Sequence, residues 1–140
     1  MYKIRKSNFE EFKKACEDSF EPGEPAYCED FDFYKLVCDD GIVCEIGDKT
    51  CDEGDGLKTY LVGTFTHLSP KHVRALVEIG KWYIDAISSF PTEIIVERGN
   101  KRFERFAEFF GFKKTLAQEE QDGVQYNVYI RNPECLPQQL

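Results

Sequence analysis

The stretch "NKRFERFAEFFGF", residues 100–112, decides how the chain is read. It follows the short apolar run "TEIIVE" (92–97) and precedes "FKKTLA" (112–117). Asn100 is a residue type that caps helix N-termini, because its side-chain oxygen accepts a hydrogen bond from a first-turn N–H. Phe103, Phe106, Ala107 and Phe110 recur at three- and four-residue steps and share one face, the inner one. Gly111 suits the left-handed position that closes a helix. A short aromatic helix between two strands is expected.

Working outward, the elements on either side are equally legible. "YKIRK" (2–6) alternates as a strand does. In "SNFEEFKKACEDSF" (7–20), Ser7 and Glu10 have capping-box spacing, and Phe9, Phe12 and Cys16 fall at helical intervals. "EPGEPAYCED" (21–30) breaks that helix. "FYKLVCDDGIVCEIGD" (33–48) reads as a hairpin turning at Asp40-Gly41, which places Cys38 opposite Val43 and sends Cys44 to the other face. "KTCDEGDG" (49–56) reads as a loop, and "LKTYLVGTFTHL" (57–68) as the longest strand, where Gly63 marks a bulge or a close backbone approach. Ser69 as N-cap and Pro70 at the first helical position open a long helix, with Val73, Leu76, Val77, Gly80, Ile84 and Ile87 along its apolar stripe. "FKKTLA" and "VQYNVYIR" (124–131) form a last hairpin across "EEQDG". The order is β-α-β-β-β-α-β-α-β-β. It predicts an α/β domain over residues 1–131, with a mixed sheet and helices on both faces, and a tail over 132–140.

Composition agrees with a single packed core. The chain has 140 residues, 41% of them hydrophobic, with 12 Phe and 7 Tyr. No apolar run reaches the ~18 residues of a membrane span, and "MYKIRKSNFEEF" lacks the apolar segment of a signal peptide. A soluble intracellular protein with no membrane partner is expected. The net charge is −8. Its acidic part, residues 17–55, argues against a nucleic-acid partner there and reads as a solvated face. Six cysteines without a secretory signal are expected to be reduced, and without C-x-x-C spacing they are expected to bind no metal. A metal module built from Cys28, Cys51 and His67 is the weakest alternative.

The element order, together with "N…RFAEFFGF" near the C-terminus, resembles the GNAT superfamily of N-acetyltransferases over residues 2–131. More narrowly, the compact length, "TYLVGTFTHLS" leading into one long helix, and "GNKRFERFAEFFGF" before a terminal hairpin resemble the degenerate GNAT-like proteins of short-tailed phages. Some of those are described as internal virion or virion-assembly proteins.

The resemblance implies acetyl-CoA as cofactor, its pyrophosphate held by free N–H groups at the start of the helix after the fourth strand. Here that stretch is "HLSPKHVRAL" (67–76), which has no glycine, and Pro70 lacks an N–H. If acetyl-CoA binds, Ser69, Lys71, His72, Arg74 and Asn100 are the residues implied to hold it. The Tyr implied as general acid four residues before the closing Gly-Phe is replaced by Ala107, leaving Tyr83, Tyr126 or Tyr129 as substitutes. Glu97, at a strand end, is the candidate base. The main expectation is therefore a phage-type protein with a degenerate cofactor site and no cofactor. It would act by binding a phage or host protein during assembly or takeover, in the host cytoplasm or in association with the virion. The alternative is a working acyl-CoA-dependent N-acetyltransferase with a non-standard pyrophosphate loop.

Overall fold

The computed structural model of the chain describes residues 1–18, 28–65 and 70–133. Its elements are β1 (Lys3–Lys6), α1 (Phe9–Asp18), β2 (Asp32–Cys38), β3 (Gly41–Asp52), β4 (Leu57–Phe65), α2 (Pro70–Ile87), β5 (Thr92–Glu97), α3 (Lys101–Phe109), β6 (Lys113–Gln121) and β7 (Val124–Arg131). This is the order expected from the sequence. The strands form a seven-stranded mixed sheet in the order β1-β2-β3-β4-β5-β7-β6. β4 and β5 run parallel, paired at Thr59↔Thr92 and Tyr60↔Glu93, and α2 is the crossover that a parallel pair requires. Contacts group the chain into two units, Met1–Lys49 with Leu61–Tyr83, and Thr50–Tyr60 with Ile84–Leu140.

In the first unit, neighbouring residues of β2 serve opposite faces. Phe33 packs on Phe12 of α1 with ring centroids 5.0 Å apart, while Tyr34 meets Tyr83 of α2 edge-on at 6.2 Å. Successive strand side chains point to opposite sides, so α1 and α2 cover the two faces here. Phe12, Cys28 and Phe33 form the core on the α1 side, with Phe9, Cys16, Phe31 and Val62 against them. Phe33 lies directly across from Gly47, where a Cβ would come within 2.6 Å of the ring. Only glycine leaves room for it.

Several local expectations are corrected. The cap of α1 is Asn8, whose Oδ1 accepts from Glu11 N at 2.9 Å; Ser7 is engaged elsewhere. The β2–β3 turn is Asp39-Asp40, with Cys38 opposite Gly41 and a register shift at Leu36/Val37. A turn at Asp40-Gly41 would need Asp40 at positive φ as well. Instead Gly41 alone takes it, at +109°, after an ordinary turn. Cys44 consequently pairs with Leu36. Along α2 the buried residues are His72, Leu76, Tyr83 and Ile84, whereas Val73 is 44% exposed. Gly63 has no crowded neighbour: an added Cβ would sit 3.6 Å from the Glu45 carbonyl, an ordinary contact.

In the second unit, β3 extends through part of the stretch read as a loop. Thr50 and Thr59 hydroxyls bond at 2.9 Å, and the turn is closed by Glu53 N donating to Gly56 O at 2.9 Å. The final hairpin is also longer than expected. It turns at Asp122-Gly123, both at positive φ (51° and 81°), with Gln121 paired to Val124. At the C-terminal end of α3, Phe112 N donates to Ala107 O at 2.9 Å and Gly111 N to Glu108 O at 3.0 Å, with Gly111 at φ +87°. This is a Schellman closure. Ala107 is buried at 4% exposure, Phe103, Phe106 and Phe110 are half-buried, and Phe109 is 64% exposed. Of the tail, Asn132 and Pro133 are described; residues 134–140 lie outside the described residues.

Chemical denaturation checks these placements. Gly47→Ala should destabilise by about 1–3 kcal/mol, because its methyl displaces the Phe33 ring. Ala107→Tyr should cost as much or more by overpacking, whereas Phe109→Ala should stay within about 0.5 kcal/mol. A neutral Gly47→Ala would mean that Phe33 does not lie on Gly47.

Candidate active site

A carboxyl side chain stands in the core beside α1. Glu45 alternates with Val43 and Gly47 on the inward face of β3 and is 1% exposed. Ser7 Oγ donates to Glu45 Oε1 at 2.6 Å and lies 3.3 Å from Glu11 Oε2, and Glu11 Oε1 accepts from Lys35 Nζ at 2.6 Å. Ser7 is itself anchored by its N–H, which donates to Phe33 O at 2.9 Å. Glu45 Oε2 is buried with no hydrogen-bond partner among the described residues. Burial pushes the Glu45 carboxyl above the ordinary range; the Ser7 bond and Lys35 oppose this and the Glu11 charge adds to it. The neighbouring Cys16 thiol is pushed up to about 11, by burial first and also by the Glu45 charge. Glu11, held by Lys35, is shifted downward. Two nearby carboxyls are thus driven apart, which is the arrangement that separates a proton-holding group from a permanently charged one.

The residues expected from the sequence have other partners. Lys71 pairs with Asp40 through its ammonium. His72 is 2% exposed, with Nδ1 2.8 Å from Tyr2 Oη and Nε2 3.4 Å from Asp40 Oδ2. Arg74, 90% exposed, bonds Glu78 at 3.1 Å. Lys71 and His72 therefore meet at Asp40, and Arg74 goes elsewhere. Asn100 caps α3, its Oδ1 accepting from Phe103 N at 3.2 Å. Glu97 closes β5 opposite Tyr126 of β7 and is half-buried. Ser69 and His67 lie outside the described residues. Cys28 is fully buried between Phe12 and Phe33, its thiol raised by burial to about 12, while Cys51 belongs to the other unit. Among the substitute tyrosines, Tyr83 donates to Asp48 and holds its proton firmly, by burial and that bond. Tyr129 is buried and shifted upward by burial, then by Glu104 and Glu108.

A hairpin reading of "CEIGD" (44–48) does not by itself single out Glu45. The signal was present in the alternation: counting inward from Val43 reaches Glu45 and then Gly47, a carboxylate between an apolar residue and a glycine on the buried side.

The fold is that of the GNAT-type acetyltransferases. Arabidopsis thaliana NAA60, solved in complex with acetyl-CoA, superposes with a TM-score of 0.65 at 12% identity over 93% of this chain and 97% of that one. The ribosomal-protein-S18-alanine N-acetyltransferase of Escherichia coli gives 0.64 at 14% identity, covering 100% of this chain and 99% of its own. A probable acetyltransferase from Staphylococcus epidermidis ATCC 12228 gives 0.66 at 15%, covering 93% and 98%. No protein family and no curated protein matches the chain by sequence. None of the described helices is long and apolar enough to cross a membrane.

The Glu45 shift has a direction that stability measurements read. Its proton is held more tightly in the folded chain than in the unfolded one. The stability it contributes is full below the unfolded carboxylate pKa and is lost as pH rises through the higher folded value. Glu45→Gln cannot ionise and keeps an acceptor for Ser7. Denaturation of both proteins between about pH 4 and pH 8 should show the variant gaining on the wild type as pH rises. A difference independent of pH would place the Glu45 carboxyl in water.

Proposed function

We propose that the chain is an acyl-CoA-dependent N-acyltransferase in which Glu45 takes the proton of the acceptor amine. The observation that carries this reading is a buried carboxyl with one oxygen committed to Ser7 and the other without a partner among the described residues, in a fold shared with acetyltransferases. An amine must lose a proton to become acylated, and a carboxyl whose pKa burial raises above the ordinary carboxylate range is a stronger proton acceptor than an exposed one. Ser7 holds Glu45 in place, and Lys35 with Glu11 fixes the polar side of Ser7.

The start of α2 is compatible with an acyl-CoA pyrophosphate. α2 is an 18-residue helix with a positive N-terminal end, and Lys71 and Arg74 stand there in solvent-exposed ion pairs, which a phosphate can replace. Lys71 and Arg74 are the residues that would hold it. When bound, the cofactor supplies the activated acyl group; the chain supplies orientation and the proton acceptor.

A second reading is favoured by two observations. Ala107 is buried and offers no proton where the family resemblance implies a tyrosine, and Pro70 lacks an N–H at the start of α2. On this reading the fold is retained as a phage-type protein-binding module, acting on a phage or host partner during assembly, and acyl-CoA does not bind.

Calorimetric titration with acetyl-CoA separates the two. The enzyme reading expects a dissociation constant in the low micromolar range or tighter, about −8 kcal/mol, weakened by Lys71→Ala and Arg74→Ala. It further expects Glu45→Gln to lower acyl transfer by about 100-fold or more while acetyl-CoA affinity is kept. Absence of binding in the folded protein would turn the assignment to the second reading.

A further inference from the structure

Cys38, Asp40 and His72 bring one thiol sulfur, one carboxylate oxygen and one imidazole nitrogen within 4.8 Å of one another. We infer that these three side chains form a binding site for a divalent transition metal of zinc-like preference. The site is distinct from Glu45 and does not depend on acyl transfer.

Three observations carry it. The first is the donor set: a soft sulfur, an imidazole nitrogen and a carboxylate oxygen form a mixed set suited to zinc(II) or cobalt(II), with a fourth position left for water. The second is spacing. His72 Nε2 lies 3.4 Å from Asp40 Oδ2, and tetrahedral coordination with bonds of about 2.0–2.3 Å puts ligand atoms about 3.3–3.6 Å apart. Cys38 flanks the β2–β3 turn and Asp40 forms it, so a metal would have to draw together ligand atoms that lie within 4.8 Å of one another.

The third is the outer partner of the histidine. Tyr2 Oη lies 3.3 Å from the Lys71 carbonyl, to which it donates, and 2.8 Å from His72 Nδ1. The hydroxyl is shared between the two, and it is bonded to Nδ1 whichever of them carries the proton. For Nε2 to ligate a metal, Nδ1 must carry the ring proton and donate it to Tyr2 Oη while Tyr2 donates to the Lys71 carbonyl, an arrangement these contacts allow. Metal-bound histidines are oriented in this way by a hydrogen bond at the far nitrogen. Tyr2 also meets the ring edge-on at 5.7 Å, and His72 is 2% exposed, so the ligand nitrogen is fixed in advance.

The charges balance. The Lys71 ammonium now pairs with Asp40. A divalent ion would take Asp40 and the Cys38 thiolate as its two negative ligands. The thiol proton would leave to solvent and Lys71 would be released. The sequence offered no C-x-x-C; this ligand set instead joins a hairpin turn to the first turn of a helix 32 residues later, which linear spacing does not reveal.

The test uses the full reduced chain, stripped with a chelator and titrated with cobalt(II), followed by zinc(II). The expected result is uptake of one ion per chain, with a thiolate-to-cobalt charge-transfer band and the intense visible bands of tetrahedral cobalt, both abolished by zinc. Cys38→Ser should weaken binding by about 100-fold and remove the charge-transfer band, with an unchanged circular dichroism spectrum, while Cys51→Ser should leave both intact. Tyr2→Phe keeps all three ligands and should weaken binding by about tenfold or more through loss of the outer hydrogen bond. Affinity weaker than about 1 mM, cobalt bands of octahedral type without a thiolate component, or bands that survive in Cys38→Ser would each overturn the proposal.

Discussion

The ring of Phe33 lying over Gly47 is the contact on which the first unit depends. Phe33 reaches Phe12 of α1 because nothing projects from β3 beneath it, and a Cβ there would intrude to 2.6 Å. This seating brings α1 down onto β2 and β3. It also brings Ser7, just before the helix, to the carbonyl of Phe33 and to the carboxyl of Glu45. The apolar contact and the polar one are therefore coupled. The aromatic packing excludes water from the face on which Glu45 sits, and Ser7 supplies part of the solvation that is lost.

A buried carboxyl is costly unless its polar atoms are satisfied, and Glu45 is satisfied on one side only. Its upward pKa shift is the thermodynamic expression of that half-measure. A structural role alone would be served by an apolar residue at this position, as it is at Val43 two residues earlier on the same face. The use of Ser7 as a tether also explains why Asn8, and not Ser7, closes the N-terminal end of α1. One hydroxyl cannot both cap the helix and hold a carboxyl in the core, and the next residue has a side chain that caps as well.

At the other face of the first unit, the first turn of α2 is defined by polar partners. His72 and Tyr83 are buried together with Leu76 and Ile84, and each of the two polar side chains has found a partner: Tyr2 and Asp40 for His72, Asp48 for Tyr83. The helix rotates accordingly and leaves Val73 partly in solvent. The β2–β3 turn contributes to this arrangement, because its position at Asp39-Asp40 sets Asp40 beside Lys71 and His72.

The element order was determined by the sequence alone, as were the Pro70 start of α2 and both ends of α3, where Asn100 and Gly111 do what their residue types imply. These features depend on interactions within one or two turns, and short-range rules read them directly. The fold class follows from the same order, and it persists in structures at 12–15% identity because patterning survives when individual side chains do not. The burial of Glu45, the meeting of Cys38, Asp40 and His72, the turn at Asp39-Asp40 and the inward rotation of His72 were decided only by the tertiary structure. The two burials depend on partners far along the chain, Ser7 for Glu45 and Tyr2 for His72. A polar residue on an inward position is ambiguous until its partner is known, since the same residue is excluded from the core when unpaired and retained there when hydrogen-bonded.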